Sequence, residues 1–154
     1  MMPIAFETPD QPDVHVLIAE LDQYLYALYP AESVYALDLR SLLQPNVRFA
    51  VARDDAGVAL GCAAVVLTPA YGEIKRMYLR PSARGSGAAG QLMQVLAQAA
   101  ANAGCAELVL EAGPHQPEAL AFYTRCGFLQ CGPYGDYPDD PYSVFMRKPL
   151  AEIA

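Results

Sequence analysis

Two glycines one residue apart, Gly85 and Gly87, stand in the run Arg84-Gly85-Ser86-Gly87-Ala88-Ala89-Gly90, between a strand-like stretch and a helix-like one. A strand that ends in a glycine-rich turn and opens a helix presents unpaired backbone N–H groups, and the helix dipole adds partial positive charge there. The chemistry this suits is the binding of an anion such as a phosphate. Gly85 and Gly87 carry no side chain to hold a phosphate away from the main chain, Ala88 and Ala89 keep the helix start small, and Arg84 can add one full charge. The alternative is that the glycines only make a tight strand-to-helix turn. A Walker-type nucleotide loop fits worse, because the run has no Gly-Lys-Ser/Thr.

Three further residues could move protons. Glu73 lies on the strand-like stretch before the turn, Glu111 closes a short strand after the helix, and Tyr123 follows twelve residues later on the next helix. A carboxylate can take a proton from an attacking group and a phenol can return one to a leaving group. The competing readings are a salt-bridge partner for Lys75 or Arg76 (Glu73), a solvated strand-end charge (Glu111) and a half-buried helix tyrosine (Tyr123). Between residues 132 and 142, Tyr134, Asp136, Tyr137, Asp139, Asp140 and Tyr142 concentrate aromatic faces and carboxylates. Such a loop suits a cation, which tyrosine faces hold by about 0.5–2 kcal/mol depending on solvation; a solvated acidic loop is the alternative. His115, beside Pro114 and close to Pro117, reads as a turn residue.

The elements that must position these groups follow from periodicity. Val14, Leu17, Ile18, Leu21, Leu25 and Leu28 recur at helical spacing from Asp13 until Pro30 stops the pattern. Leu37 to Leu43 continues as a short second helix, ended by Pro45 and Asn46. Val47 to Arg53, the turn Asp54 to Gly57 and the apolar run Val58 to Thr68 read as a hairpin. Gly72 to Leu79 alternates, with Ile74, Met77 and Leu79 set against Glu73, Lys75 and Arg76. A helix from Ala89 carries Leu92, Val95, Leu96 and Ala99 on one face and stops at Gly104. Glu107 to Glu111 is a strand, Pro117 opens a helix to about Cys126, and Phe128 to Cys131 and Ser143 to Lys148 are closing strands. The loop between them, residues 132–141, is rich in residues that favour ordered turns.

At 154 residues and 54% hydrophobic content the chain is read as one domain, residues 1–154, with a single core. A net charge of -7 argues against a nucleic-acid partner, which needs clustered Lys and Arg, and leaves the chain better suited to amine substrates. Cys62, Cys105, Cys126 and Cys131 have no metal-ligand spacing, and no leader pattern precedes the first helix, so the expectation is a reduced, cytoplasmic setting without a metal. Apolar stretches such as Ala59–Leu67 are too short to span a membrane.

The spacing Arg-x-x-Gly-x-Ala resembles the coenzyme A pyrophosphate loop of the GNAT superfamily of N-acetyltransferases. The strand end Met77-Tyr78-Leu79-Arg80-Pro81 matches as well, as does the later segment Glu118-x-Leu120-Ala121-Phe122-Tyr123-x-x-x-Gly127-Phe128. The resemblance extends over roughly Val47 to Lys148. It implies an α/β fold with a mixed, mostly antiparallel central sheet flanked by helices on both faces, and acetyl-CoA as cosubstrate lying between the strands that end near Leu79 and Glu111. Main-chain groups of Met77, Tyr78 and Leu79 would pair with the pantetheine amides like an added strand, and the turn from Arg84 through Gly90 would grip the pyrophosphate. Gln116 stands where many relatives carry an Asn that touches the cofactor, a modest departure.

What the resemblance implies for activity is acetyl transfer to a primary amine of a small molecule or peptide. An amine with a pKa of about 10.4 is almost wholly protonated at neutral pH, so a base helps. Glutamate bases and tyrosine acids at corresponding places in some GNAT enzymes assign those roles to Glu111 and Tyr123, with Glu73 as the rival base. With no Cys-His signature, direct sequential attack is expected over a cysteine-bound intermediate. In related folds the N-terminal helices form the other wall of the acceptor cleft, which points to Tyr29 and Glu32 opposite Tyr134, Asp136 and Tyr137. Many relatives pair as dimers, so a homodimer is implied by analogy. A non-catalytic acyl-CoA binding module is the alternative, and it would need Gly85 and Gly87 but not Tyr123.

Overall fold

The computed structural model of the protein describes residues 2–150. Seven strands form one sheet in the order β1-β2-β3-β4-β5-β7-β6, where β1 is Ile4–Phe6, β2 Val47–Arg53, β3 Ala59–Leu67, β4 Gly72–Leu79, β5 Glu107–Ala112, β6 Leu129–Cys131 and β7 Val144–Pro149. Every pairing is antiparallel except β4 with β5. That parallel pair needs a crossover, which the chain makes through α3, Ala88–Asn102.

Both faces of the central strands are buried, so they read as apolar runs instead of alternating ones. Ala50, Ala52, Ala63 and Val65 pack with Leu92, Met93 and Leu96 of α3, and with Tyr123 of α4 (Pro117–Arg125) and Phe128. Phe49, Val51, Cys62 and Ala64 face Val14 and Leu17 of α1 (Pro12–Leu28) and Leu42 of α2 (Leu39–Leu42). Each large apolar side chain buried there contributes about 1.5–3 kcal/mol relative to exposure.

Local chemistry sets the boundaries. Pro12 and Pro117 open α1 and α4 where a missing N–H is harmless. The second helix is shorter than the Leu37–Leu43 that periodicity suggests, because the Asp38 side chain accepts from Ser41 N–H at 2.8 Å and so acts as its cap. Strand β1, whose three residues give no periodic signal, exists because the exposed edge of β2 is available to it.

One irregularity matters for the site. In β4, Lys75 pairs with Ala64 but Tyr78 pairs with Cys62, so Arg76 and Met77 together oppose Ala63. Arg76 takes φ 57°, a bulge geometry. Alternation places Lys75 and Arg76 on the polar side of this strand; the structure buries both, each 8% exposed. Among the described residues no helix is long and apolar enough to cross a membrane.

Candidate active site

Strands β4 and β5 are hydrogen-bonded only along Gly72–Ile74 and Leu108–Leu110. Beyond that rung they separate: β4 continues on β3 through Leu79, and β5 continues on β7 through Ala112. The β4 edge from Met77 to Leu79 therefore faces a gap, not a neighbouring strand. At its far end lies the glycine-rich turn. Gly85 and Gly87 adopt φ 81° and 86°, a region L side chains rarely enter. Gly87 precedes α3, and among the described residues the N–H groups of Gly85, Gly87, Ala89 and Gly90 have no protein acceptor. Only Ala88 N–H has a local partner there, Ser86 Oγ at 3.3 Å. These free donors at the start of a fifteen-residue helix, with exposed Arg84 beside them, can take anionic oxygens.

Two cavities meet in the gap. The larger, about 330 Å³, runs along Met77, Tyr78 and Leu79 to Arg84 and Ala89, and against Gln116 and Tyr123. The smaller, about 100 Å³, is closed by α1, the segment after it and the ends of β4 and β5, and includes Tyr29, Tyr35, Lys75, Glu111 and Tyr142. Leu21, Met77, Gln116, Ala119 and Tyr123 line both. The Tyr123 ring is buried at 8% exposure, and its hydroxyl has no hydrogen-bond partner among the described residues. Burial pushes its ionisation well above the usual phenol range, so it stays protonated.

Glu111 and Glu73 differ in surroundings. Glu111 lines the smaller cavity and accepts one hydrogen bond, from Ser143 Oγ at 2.8 Å. Burial raises its pKa, opposed by the Ser143 hydrogen bond and by Lys75. Glu73 instead accepts from both Tyr134 and Tyr137 hydroxyls through one oxygen, at 2.7 and 2.6 Å, and has Lys75 Nζ at 3.8 Å.

The comparisons with known proteins fall into line with this geometry. The acetyltransferase (GNAT) family model matches residues 14–128. An IAA acetyltransferase of Azospirillum brasilense is 46% identical over 149 residues, covering 96% of this chain and 97% of the relative. The chain belongs to the acetyltransferase (GNAT) family. An uncharacterized N-acetyltransferase of Bacillus subtilis is 35% identical over 87% of this chain and 92% of the relative. A Klebsiella pneumoniae crystal structure, provisionally assigned as an acyl-CoA N-acyltransferase, superimposes with a TM-score of 0.83 at 35% identity, covering 97% of this chain and 98% of that one.

This GNAT acyltransferase brings Met77, Tyr78, Leu79, Arg84, Ala89, Gln116 and Tyr123 around the larger cavity. Tyr29 and Glu111 join the smaller one. The residues expected to form the acceptor side are dispersed. Glu32 is exposed in a single 3-10 turn and lines neither cavity, and Asp136 is exposed in its loop. Tyr134 and Tyr137 back the site by holding Glu73. His115, read as a turn residue, stacks on Tyr29 with centroids 5.4 Å apart and an 11° interplanar angle.

Lys75 and Ser143 are site residues that sequence reading passed over, and Tyr142 of the acidic loop lines the smaller cavity. Lys75 Nζ donates to Tyr35 O at 2.5 Å and to Tyr137 Oη at 2.6 Å. Its sequence signal was misleading, since it sits at what alternation makes a solvent position.

Proposed function

We propose that this acetyltransferase moves an acetyl group from acetyl-CoA to a primary amine of a small molecule or peptide by direct attack, without a covalent enzyme intermediate. The observation that carries the reading is the position of Tyr123 on the wall common to both cavities. A thioester lying along β4, with its pyrophosphate on the residue 84–90 turn, would bring its sulfur to that wall. The amine would enter from the smaller cavity.

The amine nitrogen attacks the thioester carbonyl, an N–H proton passes to Glu111, and the C–S bond breaks as Tyr123 O–H donates to the departing sulfur. The products are an N-acetyl amide and free thiol. Glu111 is favoured over Glu73 as base because it lines the cavity with one hydrogen bond, while Glu73 lines neither cavity and has one oxygen held by two phenols. Burial that raises the Glu111 pKa brings it closer to the range where a general base works best at neutral pH.

Thiol release in the presence of acetyl-CoA and a panel of amines, with IAA included because the Azospirillum relative is described by it, tests the reading. Tyr123→Phe should lower kcat about 10²-fold or more while acetyl-CoA affinity stays within a factor of two or three. Unchanged turnover would remove the assigned acid. Acetyl-CoA binding without turnover of any acceptor would favour a non-catalytic binding module.

A further inference from the structure

The smaller cavity has the wrong charges for the cation that the acidic loop suggests. Asp140 is taken up by Tyr35 Oη at 2.7 Å and Tyr142 N–H at 2.8 Å, and Asp136 and Asp139 are exposed and line neither cavity. Of the charged side chains that do line it, one is a carboxylate, Glu111, and two are cations, Lys75 and Arg76. Arg76 is committed to Asp22 and to Leu37 O.

Lys75 is different. It is 8% exposed, yet both of its hydrogen bonds go to neutral oxygens, those of Tyr35 and Tyr137. The Glu73 carboxylate stands 3.8 Å off with its nearer oxygen already accepting from two phenols. One Lys75 proton thus has no acceptor at hydrogen-bond distance among the described residues. A buried ammonium is costly unless paired and fully hydrogen-bonded, and this one lines a cavity. Burial accordingly lowers its pKa, against the pull of Glu73 and Glu111.

The sheet places Glu111 beside it. Ile74 and Leu110 form the last rung of the β4–β5 ladder, so Lys75 and Glu111 are each the next residue, where the two strands begin to part, and both line the smaller cavity. A cation and a carboxylate lining one small cavity, near enough to act on each other's ionisation, complement a molecule bearing an amine and a carboxylate on one carbon. Tyr29, Tyr35 and Tyr142 supply aromatic walls for the rest of it.

We infer that the acceptor is an α-amino acid or a close analogue, with Lys75 seating its carboxylate while Glu111 faces its amine. This rests on the acyl-transfer reading above and narrows it, since polyamines and aminoglycosides lack the carboxylate. Tyr134 and Tyr137 then act by holding Glu73 and Lys75, not by touching the acceptor.

The test is turnover of matched pairs, L-phenylalanine with phenethylamine and L-tyrosine with tyramine, using acetyl-CoA and measuring thiol release. The wild type should prefer the amino acid at least tenfold in kcat/KM. Lys75→Met should bring that ratio close to one, chiefly through KM for the amino acid, and Lys75→Arg should restore much of it; retained acetyl-CoA binding shows that the variants are folded. A wild-type preference for the decarboxylated amine, or a ratio unchanged in Lys75→Met, overturns the inference. If neither pair is turned over although acetyl-CoA binds, calorimetry with N-acetyl-L-phenylalanine separates the two ideas. Binding weakened at least tenfold in Lys75→Met keeps the carboxylate seat while the amine-transfer reading fails, and no binding to the wild type overturns the seat itself.

Discussion

A Cβ placed on Gly113 would stand 1.8 Å from Tyr29 Oη and 2.0 Å from Tyr29 Cζ. The ring at the end of α1 thus occupies the space that any side chain on residue 113 would need, and it closes one side of the smaller cavity. It is held there by donation to Gln116 Oε1 at 3.1 Å, by the His115 N–H at 3.1 Å and by stacking on the His115 ring. Three contacts make this tyrosine a poor candidate for yielding.

Gly113→Ala should therefore destabilise the protein by about 1–3 kcal/mol, the usual range for overpacking. In a Tyr29→Ala background the same change should have almost no effect, because the colliding ring is gone. Thermal denaturation of the four proteins in this cycle measures the coupling. Equal penalties in both backgrounds would mean that Tyr29 moves aside freely.

Glu111→Gln should lower turnover about 10²–10⁴-fold if Glu111 is the base. In the wild type the acid limb of the pH–rate profile should lie above the ordinary glutamate range, because burial raises this carboxyl. Stability moves in the opposite sense. A carboxyl whose folded pKa is raised favours folding most below its unfolded value near 4.5, and that contribution is lost as pH rises through the folded value. At neutral pH Glu111→Gln should thus be at least as stable as wild type, by denaturant titration, despite its lost activity.

Gly87→Glu should abolish or weaken acetyl-CoA binding more than tenfold. It places negative charge where free N–H groups point and puts a side chain at φ 86°. Isothermal titration of the folded variant reads this directly, and undiminished affinity would remove the anion role of the turn.

Arg53 joins three parts of the chain away from the site, through Glu7 at 2.8 Å, Asp13 at 2.6 Å and Gly57 O at 2.8 Å. Hydrogen bonds from its guanidinium hold the Glu7 and Asp13 carboxyls below their ordinary values. Their contribution is present above the unfolded values, about 4.5 and 3.8, and is lost as pH falls through the lower folded ones. Asp13 is 47% exposed, so solvent screening discounts the pair. Arg53→Met should cost about 1 kcal/mol at neutral pH and flatten the acid side of the stability profile; a profile unchanged in slope would show the clamp to be idle.

By itself the sequence determined the elements whose limits depend on neighbours a few residues away. Val47–Arg53 and Gly72–Leu79 stand as read, and helices opened by Pro12, Gly87 and Pro117 and strands stopped by Pro69 and Arg80-Pro81 lie within a residue or two of their expected limits. Periodicity, proline and glycine act locally, so they are legible locally. The glycine-rich turn and the family it implies were legible for the same reason.

Only the tertiary structure decided what the polar residues of β4 and the acidic loop do. Lys75 and Arg76 look solvent-facing by alternation, but a bulge against Ala63 and the segment around Tyr35 and Leu37 cover them. Glu73 and Glu111 are equivalent in type and distinct in surroundings, because Tyr134 and Tyr137 come from residues some sixty positions away to occupy one, and Ser143 alone bonds the other. Strand β1 likewise depends on a partner more than forty residues distant. Burial, register and hydrogen-bond competition among distant residues are properties of the packed chain, and these set the charge inside the site.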